Sequence, residues 1–81
     1  MQHVQLLRLP DTLKLRAICR SGHYAEIASG LYPKRVKIGK RAAADIEHEA
    51  VAINRARAAG KTDDQIRALV RELELARKVA A

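Results

Sequence analysis

Residues 20–41 read RSGHYAEIASGLYPKRVKIGKR, and the spacing of apolar residues changes halfway along. The first part fits a helix that starts near Arg20 or Ser21 and runs to Ser29. There Gly30 supplies a C-terminal stop and Pro33 forbids continuation. After Pro33 the period drops to two. Val36 and Ile38 alternate with Arg35 and Lys37, so the apolar pair faces one side of a strand and the cations the other. Gly39 and Lys40 fit a tight turn, and residues 41–44 return as a partner strand of small residues. An isolated two-stranded hairpin is barely stable in water, so this one must lean on the helices.

Upstream, Pro10 stands where a helix can begin, and residues 11–15 make a short one that breaks near residues 17–19. Two short helices joined by a few residues form the layout of a helix-turn-helix, and the cationic hairpin that follows has the place of a wing. Downstream, Asp45 is a good N-cap for a third helix that reaches about Ala59. Thr62 and Gln65 then make a capping box, with Asp63 and Asp64 at the positive end of the helix dipole. Ile66, Leu69, Val70, Leu73 and Ala76 form one apolar stripe. That stripe either packs back on the winged unit or pairs with a second copy. The expected architecture is mainly α with a small two-stranded hairpin: a winged helix-turn-helix over residues 1–59 and an amphipathic C-terminal helix over 60–81.

Charge is segregated. The 81 residues carry a net charge of +7, and the whole excess lies between Arg8 and Arg41, where nine basic residues meet only Asp11 and Glu26. From Ala42 onward seven basic residues balance seven acidic ones. A localised positive field suits a polyanion, with an anionic membrane surface as the weaker alternative. The single Cys excludes an internal disulfide framework. No apolar run approaches the roughly 20 residues of a membrane span, and residues 1–10 lack the apolar core of a signal peptide. These features point to the cytoplasm, at the nucleoid.

The residues resemble the AlpA-type prophage regulators, relatives of phage excisionases and MerR-like winged helix-turn-helix proteins. The likeness starts at Arg8-Leu9-Pro10-Asp11 and continues through Ile18-Cys19-Arg20-Ser21 with Tyr24 and Ile27. It runs on through Gly30, Tyr32-Pro33-Lys34, Val36-Lys37-Ile38-Gly39 and Arg41-Ala42 into Glu47, Glu49, Ile53-Asn54 and residues 60–64. Cys19, Gly22, Ala25 and Asp45 stand where the family more often carries Ser, Thr, Arg and Trp. The resemblance implies a small sequence-specific DNA-binding regulator of mobile-element genes, or an excision factor that bends DNA for a recombinase partner.

On a helical wheel Tyr24, Ile27 and Leu31 define the buried side of the second helix. Gly22, Ala25, Glu26 and Ser29 point away, with Ser21 and His23 on the flanks. Readout of double-stranded DNA then rests on Arg20, Ser21 and His23, with Tyr24 in the core and its hydroxyl reaching a phosphate. His23 either contacts a base or phosphate or, as is commoner for such a residue, sits half-buried beside the helix end. Arg20 contacts either a guanine or a phosphate. Gly22 marks either a close approach to a phosphate or a shifted helix start. Lys34, Arg35, Lys37, Lys40 and Arg41 supply the hairpin's phosphate or minor-groove contacts. About five neutralised phosphates give a salt slope of roughly −4.5. So small a footprint calls for two copies on adjacent half-sites or cooperative loading.

No cofactor or metal site is expected. The Gly39-Lys40 pair lacks the rest of a phosphate-binding loop, His48-Glu49 has no second His, and Cys19 with His23 lacks further ligands. No nucleophile, base and orienting acid can be assembled from three scattered His and one Cys, so the chain does not read as an enzyme. The alternative class is a protein-interaction adaptor whose C-terminal stripe captures a partner helix.

Overall fold

A computed structural model describes residues 4–80. Residues 1–3, where the leader reading begins, and residue 81, to which the expected C-terminal helix extends, lie outside the described residues. The order is β1 (Leu6–Leu7), α1 (Leu9–Arg16), α2 (Arg20–Ala28), β2 (Val36–Lys37), β3 (Ala43–Ile46), α3 (Glu47–Ala58) and α4 (Asp63–Ala80). The chain is mainly helical with a small sheet, as the change of period predicts, and compatible with a winged helix. The sheet has a third strand that the sequence does not announce. Its order is β1-β3-β2, antiparallel throughout, with Leu6 opposite Ile46 and Leu7 opposite Asp45. A two-residue strand is too short to register as alternation.

Pro10 lies in the first turn of α1, where its missing N–H costs nothing. The helix ends at Ala17, whose φ of 54° is left-handed and whose N–H closes on the Leu13 and Lys14 carbonyls. At the end of α2, Gly30 takes a φ of 78°, and the Leu31 N–H returns to the Glu26 carbonyl at 2.8 Å. Such a left-handed stop favours glycine. Gly22 has a packing reason: a Cβ there would meet Ile18 Cγ1 at 3.1 Å. The side chain of the inter-helix turn occupies that space.

The hairpin is centred on Lys40. Val36 pairs with Ala44 and Lys37 with Ala43, and the Ile38 N–H donates to the Ala42 carbonyl at 3.0 Å. The loop is therefore Gly39, Lys40 and Arg41, one residue longer than the expected turn. In this register β3 extends to Ile46, which corrects the N-cap reading of Asp45. Asp45 is a buried strand residue, and α3 starts after Ile46 without a side-chain cap.

The capping box at α4 forms as expected: the Thr62 N–H donates to Gln65 Oε1 at 2.9 Å and the Gln65 N–H to Thr62 Oγ1 at 3.2 Å. The stripe packs inward. Ile66 and Val70 join Tyr32, Ala50, Ile53 and Ala56 in the core, with Leu69 and Leu73 packed against it. Burying a side chain such as Ile66 contributes about 1.5–3 kcal/mol. Ala76, the last member of the stripe, is exposed. A bridge from Arg77 to the buried Glu49, at 2.5 and 2.8 Å, fixes the far end of α4. No helix among the described residues is long and apolar enough to cross a membrane.

Candidate nucleic-acid interface

The exposed residues of α2 are Arg20, Ser21, Tyr24, Ala25 and Ala28. Their spacing of i, i+1, i+4, i+5 and i+8 is one helical face. His23 is fully buried, and Glu26 and Ile27 are half-buried on the opposite face. The phase is thus rotated from the expected one. Tyr24 leaves the core and is 43% exposed, while His23 is 0% exposed and out of a ligand's reach. A polar His takes the inward position where Arg16 bonds one ring nitrogen and the Asp45 carboxylate faces the other.

Arg16 donates from Nη1 to His23 Nδ1 at 2.8 Å. An arginine can only donate, so Nδ1 carries the lone pair and the ring proton sits on Nε2. Nε2 faces Asp45 Oδ1 at 3.6 Å. Burial lowers the His23 pKa, and nearby Arg16 and Arg35 add to the effect against the opposing pull of Asp45. The same guanidinium of Arg16 pairs with Glu26 and lies 4.0 Å over the Tyr32 ring. Glu26 also meets Arg57 at 3.3 Å. Burial, then Asp45, pushes the pKa of the enclosed Tyr32 hydroxyl up.

Arg35 joins this interior to the outer face. Directly across the hairpin from Asp45, its Nε stands 3.3 Å from Asp45 Oδ2. Its Nη2 donates to the Ala43 carbonyl at 3.0 Å, and its Nη1 donates to the Tyr24 hydroxyl at 3.2 Å. Both terminal nitrogens are hydrogen-bonded and Nε faces the Asp45 carboxylate, so Arg35 is a clamp between α2 and the hairpin. The structure thus gives Arg35 protein partners where the sequence leads us to expect a phosphate contact.

Beyond the clamp, Lys37, Lys40 and Arg41 are exposed, as is Arg20 at the start of α2. None of these has a carboxylate within 4.0 Å among the described residues. The structure thus brings together Arg20, Ser21 and Tyr24 with the hairpin through the Tyr24–Arg35 bond. Lys34 is set apart. Its backbone is bonded to α4, through Glu74 at 2.9 Å and Arg77 at 2.8 Å, and it lines a 140 Å³ cavity with Arg67, Arg71 and Glu74.

Sequence reasoning missed Asp45 and the inward role of His23. A hairpin centred on Lys40 would have exposed the first, because it sets Arg35 opposite Asp45 as a cross-strand ion pair. The model of the prophage CP4-57 regulatory protein (AlpA) family matches residues 5–51, from the first strand into α3. Comparison with curated proteins and with solved structures gives no significant match.

Proposed function

The chain belongs to the AlpA family of prophage regulatory proteins, and from that premise we propose that it is a winged helix-turn-helix protein that binds double-stranded DNA. In this reading α2 enters the major groove through Arg20, Ser21 and Tyr24, and the hairpin cations Lys37, Lys40 and Arg41 grip the adjacent backbone or minor groove. His23 and Arg35 position these groups from behind. Lys34 touches DNA only at the edge of the footprint.

The observation that carries the reading is the division of charge within a few residues: the carboxylates of Glu26 and Asp45 are turned inward onto Arg16, His23 and Arg35, while the remaining cations face outward. Base readout is thin, since Ala25 and Ala28 offer no hydrogen-bond donor. Sequence preference and useful affinity then come from two copies on adjacent half-sites or cooperative loading. Regulation of prophage genes, with assistance to a recombinase in excision, is the biological role this binding would serve at the nucleoid. The adaptor reading loses its surface, because the core of the apolar stripe is buried against α3.

A salt-titrated gel shift on promoter and attachment-site fragments tests the proposal. With Arg35 occupied, four outward cations give an expected slope of about −3.6 in log affinity against log salt. Substituting Lys37→Ala with Arg41→Ala should lower the slope's magnitude by about 1.8 and weaken binding on every sequence. Arg20→Ala should instead change the preference between fragments. A salt slope that the double substitution leaves unchanged would remove the hairpin from the interface.

A further inference from the structure

Ile38 is a large aliphatic side chain held outside. It shares a sheet face with Val36, but Val36 is half-buried opposite the enclosed Ala44, whereas Ile38 stands opposite Ala42 and is 42% exposed. It is the last hydrogen-bonded residue before the hairpin loop, beyond the reach of the core. Lys37 precedes it, Lys40 and Arg41 follow it, and all three are exposed. An apolar tip with Lys37 on the opposite face of its strand and Lys40 and Arg41 in the adjoining loop suits neither a greasy protein surface nor a core. It suits a ligand that presents anions around an apolar interior.

Gly39 beside it adds an independent observation. Its φ is outside the left-handed range, and a Cβ there would meet only Ala42 Cβ, at an ordinary 3.8 Å. Neither backbone conformation nor internal packing asks for glycine. A side chain at position 39 would, however, hold an external surface away from the Ile38 backbone.

Building on the DNA reading above, we propose that Ile38 is a wedge that enters the minor groove between two base pairs, unstacks them in part and kinks the duplex. Gly39 lets the hairpin tip reach the floor of the groove, and Lys37, Lys40 and Arg41 hold the phosphates on either side. Inserted aliphatic side chains of this kind bend DNA by ~20–90°. The cost is lowest at pyrimidine–purine steps, so the hairpin reads deformability where α2 offers few base contacts.

The test uses the full chain and two end-labelled duplexes of roughly 25 bp. One carries central TpA steps; in the other they are replaced by ApA. Gel shift gives affinity, and energy transfer between the ends of the saturated complex gives bend. The wild-type protein should bend the TpA duplex more than the ApA duplex. Ile38→Ala should still shift both but leave both straight, with Ile38→Leu restoring the bend. Gly39→Ala should keep the thermal midpoint while weakening binding. Bending by Ile38→Ala equal to wild type would overturn the wedge and leave DNA binding standing. Failure of the wild-type protein to shift either duplex would instead overturn the DNA reading itself, and the wedge with it.

Discussion

The base of the hairpin and its tip use the same kinds of side chain for opposite purposes. At the base, Arg35 meets a carboxylate that is 2% exposed, and Arg16 and His23 complete an enclosed cluster with Glu26. At the tip, Lys37, Lys40 and Arg41 face solvent without a protein counterion within 4.0 Å among the described residues. The difference teaches that net charge alone does not locate a polyanion surface. What matters is which cations the fold leaves over once the buried carboxylates have been satisfied. Arg35, two residues from Lys37, belongs to the first group and sets the direction of the second.

The sharpest way to break this contrast is at Asp45. Its carboxylate is held by the charge of Arg35 at 3.3 Å, with the neutral His23 Nε2 at 3.6 Å, rather than by aligned hydrogen bonds. Asp45→Ala leaves Arg35 enclosed without its anion, and losing one partner of such a pair costs about 3–5 kcal/mol. In a domain this small that is a large share of the total stability. We expect urea unfolding to show the variant mostly unfolded at room temperature. Replacing both partners by apolar residues, Arg35→Met with Asp45→Leu, should recover most of the loss, because the desolvation of two charges disappears with them. A single Asp45→Ala variant as stable as wild type would mean the base is not an ion cluster in solution. The tip variants Lys37→Ala and Arg41→Ala should leave the urea midpoint where it was.

The tip was far more legible in the sequence than the base. The run of cations, the period of two after Pro33 and the stop at Gly30 are local features, and each governs the residues beside it. The capping box at Thr62 and Gln65 was visible for the same reason. Asp45 was misread because a carboxylate ahead of an amphipathic segment is a good N-cap by local chemistry. Here register overrides it: a one-residue longer loop carries β3 two positions further and buries the carboxylate against Arg35. The wheel for α2 failed similarly, because it ranked Tyr24 above His23 for burial by apolar content. The fold buries His23 instead, since Arg16 and Asp45 come to it from α1 and β3, seven and 22 residues away in sequence. No local pattern carries that information.

A smaller effect separates the two regions by pH. Burial and the neighbouring Arg16 and Arg35 lower the folded-state pKa of His23, in spite of Asp45. The unfolded chain therefore binds the proton more readily. Stability is fully present above the ordinary His value of about 6.5 and declines as pH falls through it, by at most about 1.4 kcal/mol per pH unit. Urea midpoints between about pH 7.5 and pH 5.5 should fall in the wild-type protein and fall less in His23→Gln. The tip carries no histidine, so DNA affinity per folded molecule should stay level. An equal slope in both proteins would assign the pH response to some other group.

The smallest expected effect lies in the turn that leads into the base. Ala17 is the one non-glycine residue with positive φ among the described residues, and it follows Arg16 directly. A left-handed conformation costs an L-residue about 1–2 kcal/mol. Glycine removes that strain but gives back about 0.4–1 kcal/mol through the freedom of the unfolded chain. Ala17→Gly should therefore stabilise the protein by no more than about 1.6 kcal/mol in urea. Its value lies in what should not change. The backbone path that delivers Arg16 to both Glu26 and His23 is retained, so the clamp at Arg35 and the tip beyond it keep their geometry. DNA affinity and its salt slope should match the wild type. A variant that gained stability yet lost DNA affinity would show that the tip feels the strain in the turn, and that the base transmits it rather than merely holding the hairpin in place.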